Sequence, residues 1–351
     1  MVGRKKCRIA PLVFLARMGK EGIRLGSGAG GRSFALSNYV GLLRFGRNLA
    51  LMNLAGKRLV IFGCGYVGSS LARTALAAGA QVEAVTRNTE KAAALRAEGL
   101  TSVVTAELAS ADWHRQIAPG ADFVVNCVSA SAPGIEGYRQ SYVAGQKSIL
   151  VWAQTGQIPV GTLIYTSSTS VYPQGDGAVV DELADSGGGT PTGAIIRESE
   201  IILERASALA CRRWFILRLA GIYGPGRHHL LDQLRAGATA LSGSGGPHLN
   251  LIYRDDIVSA IMAGLVAPAV FGNETFNVTD GHPAPRAEVG SWLAAQVGVA
   301  SPVFDGTSGT RRGGVPTPDR LISSKKIQEM LGWQPQFPDY QVGYRAILGR
   351  P

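Results

Sequence analysis

An α/β fold with a parallel sheet wound by helices on both faces is predicted by three features. They are short Val- and Ile-rich runs with little polar interruption, helical segments between them, and a glycine signature at the first strand-to-helix turn. The runs RLVIFG, QVEAVTR, TSVVTAEL, DFVVNCVS, TLIYTSS and WFILRLAG read as strands. SSLARTALAAG, TEKAAALRAEG, DWHRQIAPG, YRQSYVAGQKSILVWAQTG and ESEIILERASALA read as the helices that separate them. Strands that are apolar along their whole length must be covered on both faces, and the doubly wound architecture follows.

The glycine signature is Gly63-Cys64-Gly65-Tyr66-Val67-Gly68, which follows the first strand and opens the first helix as a dinucleotide fingerprint requires. Gly63 permits the tight turn, Gly65 lets backbone approach a pyrophosphate, and Gly68 lets helix and strand pack closely. The pyrophosphate meets the free N–H groups and the positive end of the helix dipole. These six positions, apart from Cys64, are cofactor-binding candidates.

The end of the second strand chooses between the two nicotinamide cofactors. It reads Ala84-Val85-Thr86-Arg87-Asn88, with Thr86 and Arg87 standing where an Asp or Glu would bond the ribose 2′-hydroxyl and select NAD. A hydroxyl and a guanidinium suit a 2′-phosphate, so NADP is expected in preference to NAD. Ser129, closing the run DFVVNCVS, joins the cofactor-binding candidates.

Composition bounds the rest. The chain has 351 residues, 46% of them hydrophobic and 17% charged, which suits a globular protein with a large core. Apolar runs near the N-terminus such as PLVFLA are far shorter than the roughly 20 residues of a membrane span. The formal charge of +10 resembles a nucleic-acid signal until it is located: residues 1–51 hold ten Lys or Arg and one acid, leaving +1 for everything else. Neither nucleic acid nor membrane is therefore expected as a partner of the folded body.

Residues 1–51 also contain GSGAGGRS and lack sustained periodicity, while Met52 opens MNLAGKRLVIFGCGYVG, a usual start for a nucleotide-binding domain. The segment reads as a basic extension without structure, with a targeting leader or a nucleic-acid- or lipid-binding arm as alternatives. The four cysteines, Cys7, Cys64, Cys127 and Cys211, include no CxxC pair, which argues against zinc or a disulfide framework and for a cytoplasmic protein.

From Met52 to Leu348 the chain resembles the extended short-chain dehydrogenase/reductase superfamily, the sugar-nucleotide epimerases and dehydratases. FGCGYVG, TLIYTSSTSVYP followed by VVDE, LRLAGIYGPGR, NLIYRDDIVSAI, FNVTDG and SSKKIQEMLGWQP occur in the expected order. The resemblance implies a Rossmann domain over 52–225 and a smaller, mainly substrate-binding region over 226–351 with strands returning to the core. It also implies a small-molecule substrate, such as a nucleotide sugar, and admits a homodimer. Glu107 ends the third strand where related proteins place an Asp near the adenine.

The family's proton-transfer site joins a Ser or Thr after the fifth strand to a Tyr and, four residues later, a Lys. The motif match puts Ser168 at the hydroxyl position, Thr192 at the tyrosine and Ile196 at the lysine. Threonine has no accessible pKa near neutrality and isoleucine offers neither charge nor hydrogen bond, so ordinary acid/base chemistry lacks its groups. No YxxxK occurs between Tyr172 and Cys211, and Tyr142 stands where the family commonly carries Asn. The resemblance is thus to atypical members.

Catalytic candidates are Ser168, Tyr172 and Thr192. Tyr172 flanks the Ser168 motif, although a packed aromatic is the usual role there. Tyr223, His228 and His229 lie in the segment resembling the substrate loop, Asp255 and Asp256 read as helix caps, and Arg311, Arg312 and Arg320 occupy a Gly/Pro-rich stretch. Two functions remain open: an NADP(H)-dependent oxidoreductase or epimerase with nonstandard acid/base groups, or a catalytically inactive NADP(H)-binding regulatory or scaffold protein.

Overall fold

The computed structural model describes residues 54–206, 208–306, 310–311, 315–316 and 318–349. The proposed extension over residues 1–51 lies outside them. Seven strands form the central sheet: β1 Arg58–Phe62, β2 Gln81–Thr86, β3 Ser102–Thr105, β4 Phe123–Asn126, β5 Val160–Ser168, β6 Cys211–Leu219 and β7 Glu274–Val278. All pair in parallel, in the order β7-β6-β5-β4-β1-β2-β3. The expected doubly wound sheet is the observed one.

Order follows from composition. Phe62 pairs with Val85 on one side and Asn126 on the other, so β1 lies between β2 and β4 and the winding reverses there. Such a reversal opens a crevice at the carboxyl ends of the strands. Leu59, Ile61 and Val125 enter one buried cluster, while Val60, Phe62 and Val124 enter another on the opposite face. A strand with both faces covered has no use for polar alternation.

Helix α1 spans Tyr66–Ala77 and α2 spans Thr89–Ala97. The predicted helix YRQSYVAGQKSILVWAQTG is interrupted: a π-helical turn over Arg139–Ala144 leads into α3, Gly145–Gln154. The predicted helix DWHRQIAPG is instead a run of turns. Bonds from His114 N to Ala111 O and from Gln116 N to Trp113 O close shorter rings than an α-helix. The buried Trp113 indole anchors the segment by donating to Leu108 O at 3.0 Å.

Helix α4 runs from Pro191 to Glu204, beginning and ending earlier than ESEIILERASALA predicts. Thr190 sets the start, its Oγ1 accepting from Gly193 N at 2.9 Å, and Pro191 follows with its φ already suited to a first turn. Helix α5, Arg254–Leu265, packs in the core on the β1 side with Ile257, Ala260 and Ile261 fully buried. Asp255 and Asp256 do not cap it, because the N-cap residue is Tyr253. Asp256 instead accepts from Gln336 N and Phe337 N at 2.6 and 3.0 Å and so ties the C-terminal segment to the core.

Candidate functional site

The crevice at the β1/β4 reversal is lined by Gly63, Gly65, Thr86, Arg87, Glu107 and Ser129, six of the nine predicted cofactor-binding residues. Tyr66, Val67 and Gly68 serve the turn without lining it. Gly63 has φ +89° and packs so tightly that a Cβ would sit 2.8 Å from Val128 Cα. A Cβ on Gly68 would lie 2.3 Å from Gly63 O, so α1 reaches the strand only because both residues lack side chains. Gly65 ends this turn as the N-cap of α1, with no side-chain cap and open space where its Cβ would be.

That geometry fits a dinucleotide. Uncapped N–H groups at a helix N-terminus beside open space form a cradle for pyrophosphate. Gly65, Thr86, Arg87 and Glu107 are the chain's own groups toward it, and the crevice adds four that sequence reasoning missed. Asn88 caps α2 by accepting from Lys91 N at 2.7 Å, and Lys91, Gln140 and Ser141 line the wall. Lys91 was legible in principle, since it stands four residues after Arg87 at the opening of α2.

Arg87 pairs with Glu107 at 3.6 Å, both side chains being well exposed. The pair brings the predicted 2′-phosphate and adenine residues into one place, and Lys91 leaves the corner with two cations against one carboxylate. Cys64 and Cys127 also form the wall. Burial pushes the Cys64 thiol up to about 12 and raises Cys127 as well, so both are packing groups rather than nucleophiles.

The second cluster lies where β5 ends. Ser168 Oγ accepts from Ser170 N at 3.1 Å, which opens a 3₁₀ turn over Thr169–Val171. Its own proton remains available for another acceptor. Helix α4 begins against this turn, and a Cβ on Gly193 would sit 2.3 Å from Ser170 O. Gly193 is thereby held against the turn, and Thr192 Oγ1 lies 3.2 Å from that of Thr190. Ile196 is buried in an apolar cluster with Val171, Tyr172, Val180 and Ile322, against which Tyr138 and Tyr142 pack.

Tyr172 faces inward. Its hydroxyl accepts from Arg218 Nη1 at 2.9 Å and donates to Asn277 Oδ1 at 2.8 Å. Arg218 grips Glu200 of α4 at 2.7 and 3.0 Å, and Ser167 Oγ donates to the same carboxylate at 2.5 Å. Burial raises the Tyr172 pKa against the lowering effect of Arg218. With 1% of its surface exposed and both hydroxyl partners internal, Tyr172 joins strands rather than meeting the crevice. Tyr142, from the π-helical turn, is pushed up to about 12 by burial.

The remaining candidates disperse. Tyr223 is buried in an aromatic cluster with Tyr253 and Tyr344. His228 pairs with Asp232 at 2.7 Å, and His229 begins the short helix His229–Arg235. Arg320 is buried and donates to Thr169 O and Tyr172 O, so it holds the turn after β5. Arg312 and the side chain of Arg311 lie outside the described residues.

Comparison with known proteins agrees with this fold. Residues 59–279 match the NAD dependent epimerase/dehydratase family. The chain belongs to that family, whose fold here is that of the extended short-chain dehydrogenases/reductases. Protein YeeZ of Escherichia coli K12 is 31% identical over 289 residues, spanning 81% of this chain and 97% of YeeZ. Among solved structures, MoeE5 in complex with UDP-glucuronic acid and NAD superposes with a TM-score of 0.69 at 21% identity, over 83% of this chain and 97% of MoeE5. The Bacillus cereus UDP-glucuronic acid 4-epimerase, also holding UDP-glucuronic acid and NAD, gives 0.69 at 19%, over 83% and 99%. A functionally unknown protein from Silicibacter pomeroyi gives 0.66 at 24%, over 84% and 98%. At these identities the structures are similar in fold.

Proposed function

We propose that the protein binds NADP(H) in the β1/β4 crevice and acts as an oxidoreductase or epimerase on a polar metabolite, without the usual tyrosine and lysine. The observation that carries this reading is the convergence of Gly65, Thr86, Arg87 and Lys91 on one crevice. Two cations facing one carboxylate favour a 2′-phosphate over a bare ribose hydroxyl. NAD is the less suited cofactor. Nucleotide sugars are the first substrates to try, because MoeE5 and the Bacillus cereus epimerase hold them. In this reading the protein works in the cytoplasm on a small molecule, not on nucleic acid or membrane, and a homodimer is an admissible assembly.

The nicotinamide, when bound, supplies the hydride chemistry. Ser168 Oγ donates its proton in a hydrogen bond to the substrate oxygen, and Thr192 adds a second neutral hydroxyl. Tyr172 holds the turn in place through Arg218 and Asn277. Neither Ser168 nor Thr192 is an acid at neutral pH, so alcohol oxidation lacks the 10²- to 10⁴-fold that general acid–base catalysis contributes.

The apolar surroundings of Ile196 favour a second reading, a catalytically inactive protein whose NADP(H)-loaded form regulates or scaffolds a partner. Loss of nicotinamide absorbance, followed with NADPH and a panel of nucleotide sugars and simple ketones, separates the two. Turnover abolished by Ser168→Ala supports the enzyme. No turnover across the panel by protein shown to bind NADPH supports the second reading.

A further inference from the structure

The C-terminal half of the chain sends two cations back to the glycine turn. Tyr66 is the first residue of α1 and lies within the fingerprint itself. The Arg227 guanidinium sits 5.5 Å from its ring centroid and that of Arg254 sits 5.2 Å from it. The Tyr66 hydroxyl donates to Pro225 O at 3.0 Å. Gly224, at φ +147°, makes room for that hydroxyl, which would lie 2.7 Å from a Cβ there. The loop carrying Arg227 is therefore seated on the residue that follows Gly65.

Charge gives the arrangement a direction. Arg254 donates from Nε to Asp255 Oδ1 at 2.8 Å, which leaves its terminal nitrogens as donors. Arg227 is exposed and has no carboxylate partner among the described residues. Cations sharing one aromatic ring gain from its π face but repel each other, and an anion between them removes that repulsion. The adjacent N–H groups at the start of α1 favour the same charge.

We propose that Arg227 and Arg254, seated on Tyr66, form a clasp for the pyrophosphate of the bound dinucleotide, supplementing the N–H groups of the glycine turn. This rests on the dinucleotide-binding part of the proposed function, and neither on the preference for NADP nor on turnover.

Fluorescence titration of the full chain with NADPH and NADH, and calorimetry with 2′-AMP, which lacks a pyrophosphate, test it. Arg227→Ala should weaken both dinucleotides about tenfold, the scale of one charge-assisted hydrogen bond, and leave 2′-AMP unchanged. Arg254→Ala should show the same pattern, and Arg227→Lys should keep part of the affinity. Arg87→Ala should do the reverse, weakening NADPH and 2′-AMP while sparing NADH. Arg227 is exposed, so its loss leaves folding intact. Unchanged dinucleotide affinity in Arg227→Ala overturns the clasp. So does an Arg227→Ala variant that, titrated with UDP by calorimetry, loses UDP binding while keeping the dinucleotides, which would assign the anion to a nucleotide substrate instead of the dinucleotide. Equal affinity of the parent protein for NADPH and NADH overturns the NADP preference and leaves the clasp standing. Failure of the parent to bind either dinucleotide overturns both.

Discussion

Ile196 sits in an apolar cluster, and that packing governs what the position tolerates. The motif match placed Thr192 and Ile196 at the tyrosine and lysine positions, yet only packing shows that Ile196 lies in an apolar cluster with Val171, Val180 and Ile322. Ile196→Lys should accordingly lower stability by several kcal/mol at pH 7, since the buried ammonium must lose its charge or its solvation. The unfolded chain then binds a proton that the folded one does not, so the deficit should shrink as pH rises toward 10. Urea denaturation at the two pH values checks both magnitude and sign.

Asp280 makes the opposite prediction. Its Oδ1 accepts from His282 N at 3.0 Å, while its Oδ2 is buried with no hydrogen-bond partner among the described residues. Burial chiefly pushes its pKa to about 8, so the folded protein keeps a proton the unfolded chain has released. This contribution is fully present below about pH 4 and is lost as pH rises to about 8. Asp280→Asn should flatten that part of the pH–stability curve. A melting temperature with the same slope in variant and parent between pH 5 and 8 would count against the assignment.

Among elements, strands were more legible than helices. Each predicted central strand is present because an apolar run bounded by glycine or a polar turn has few other uses, as RLVIF and FVVN illustrate. The helix DWHRQIAPG failed because its apolar spacing reflects one anchored tryptophan, not a helical face. The π-helical turn at Arg139–Ala144 was invisible, since adding a residue to a turn leaves no signature in a single sequence. The tie between α4 and β6 was equally hidden, because Glu200 and Arg218 are 18 residues apart on a helix and a strand whose packing a single sequence does not give. Glu200→Gln should cost about 3 to 5 kcal/mol by leaving Arg218 buried without its counter-ion. Replacing both by apolar residues should cost less. Chemical denaturation of the single and double variants settles the order, and equal losses would mean that the pair does not act as a unit.

At the scale of the molecule, the residues that line the crevice were more readable than the packing around Ser168 and Tyr172. Gly63, Gly65, Thr86, Arg87 and Glu107 line the crevice as a group because glycine turns and strand ends occupy fixed places around a doubly wound sheet. Lys91, Gln140 and Ser141 were missed because they reach the crevice from helical turns whose orientation a single sequence does not give. Tyr172 was a candidate by position alone, and its burial with Arg218 and Asn277 became visible only once β5, β6 and β7 were side by side. The central claim is that the crevice retains an NADP(H) site although the tyrosine and lysine are gone. Titrating the unmodified protein with NADPH and NADH, with Arg87→Ala alongside, tests it most directly. NADPH should bind more tightly, and the variant should lose on the order of 1 to 3 kcal/mol of that preference. Equal affinity for the two cofactors in the unmodified protein would contradict it.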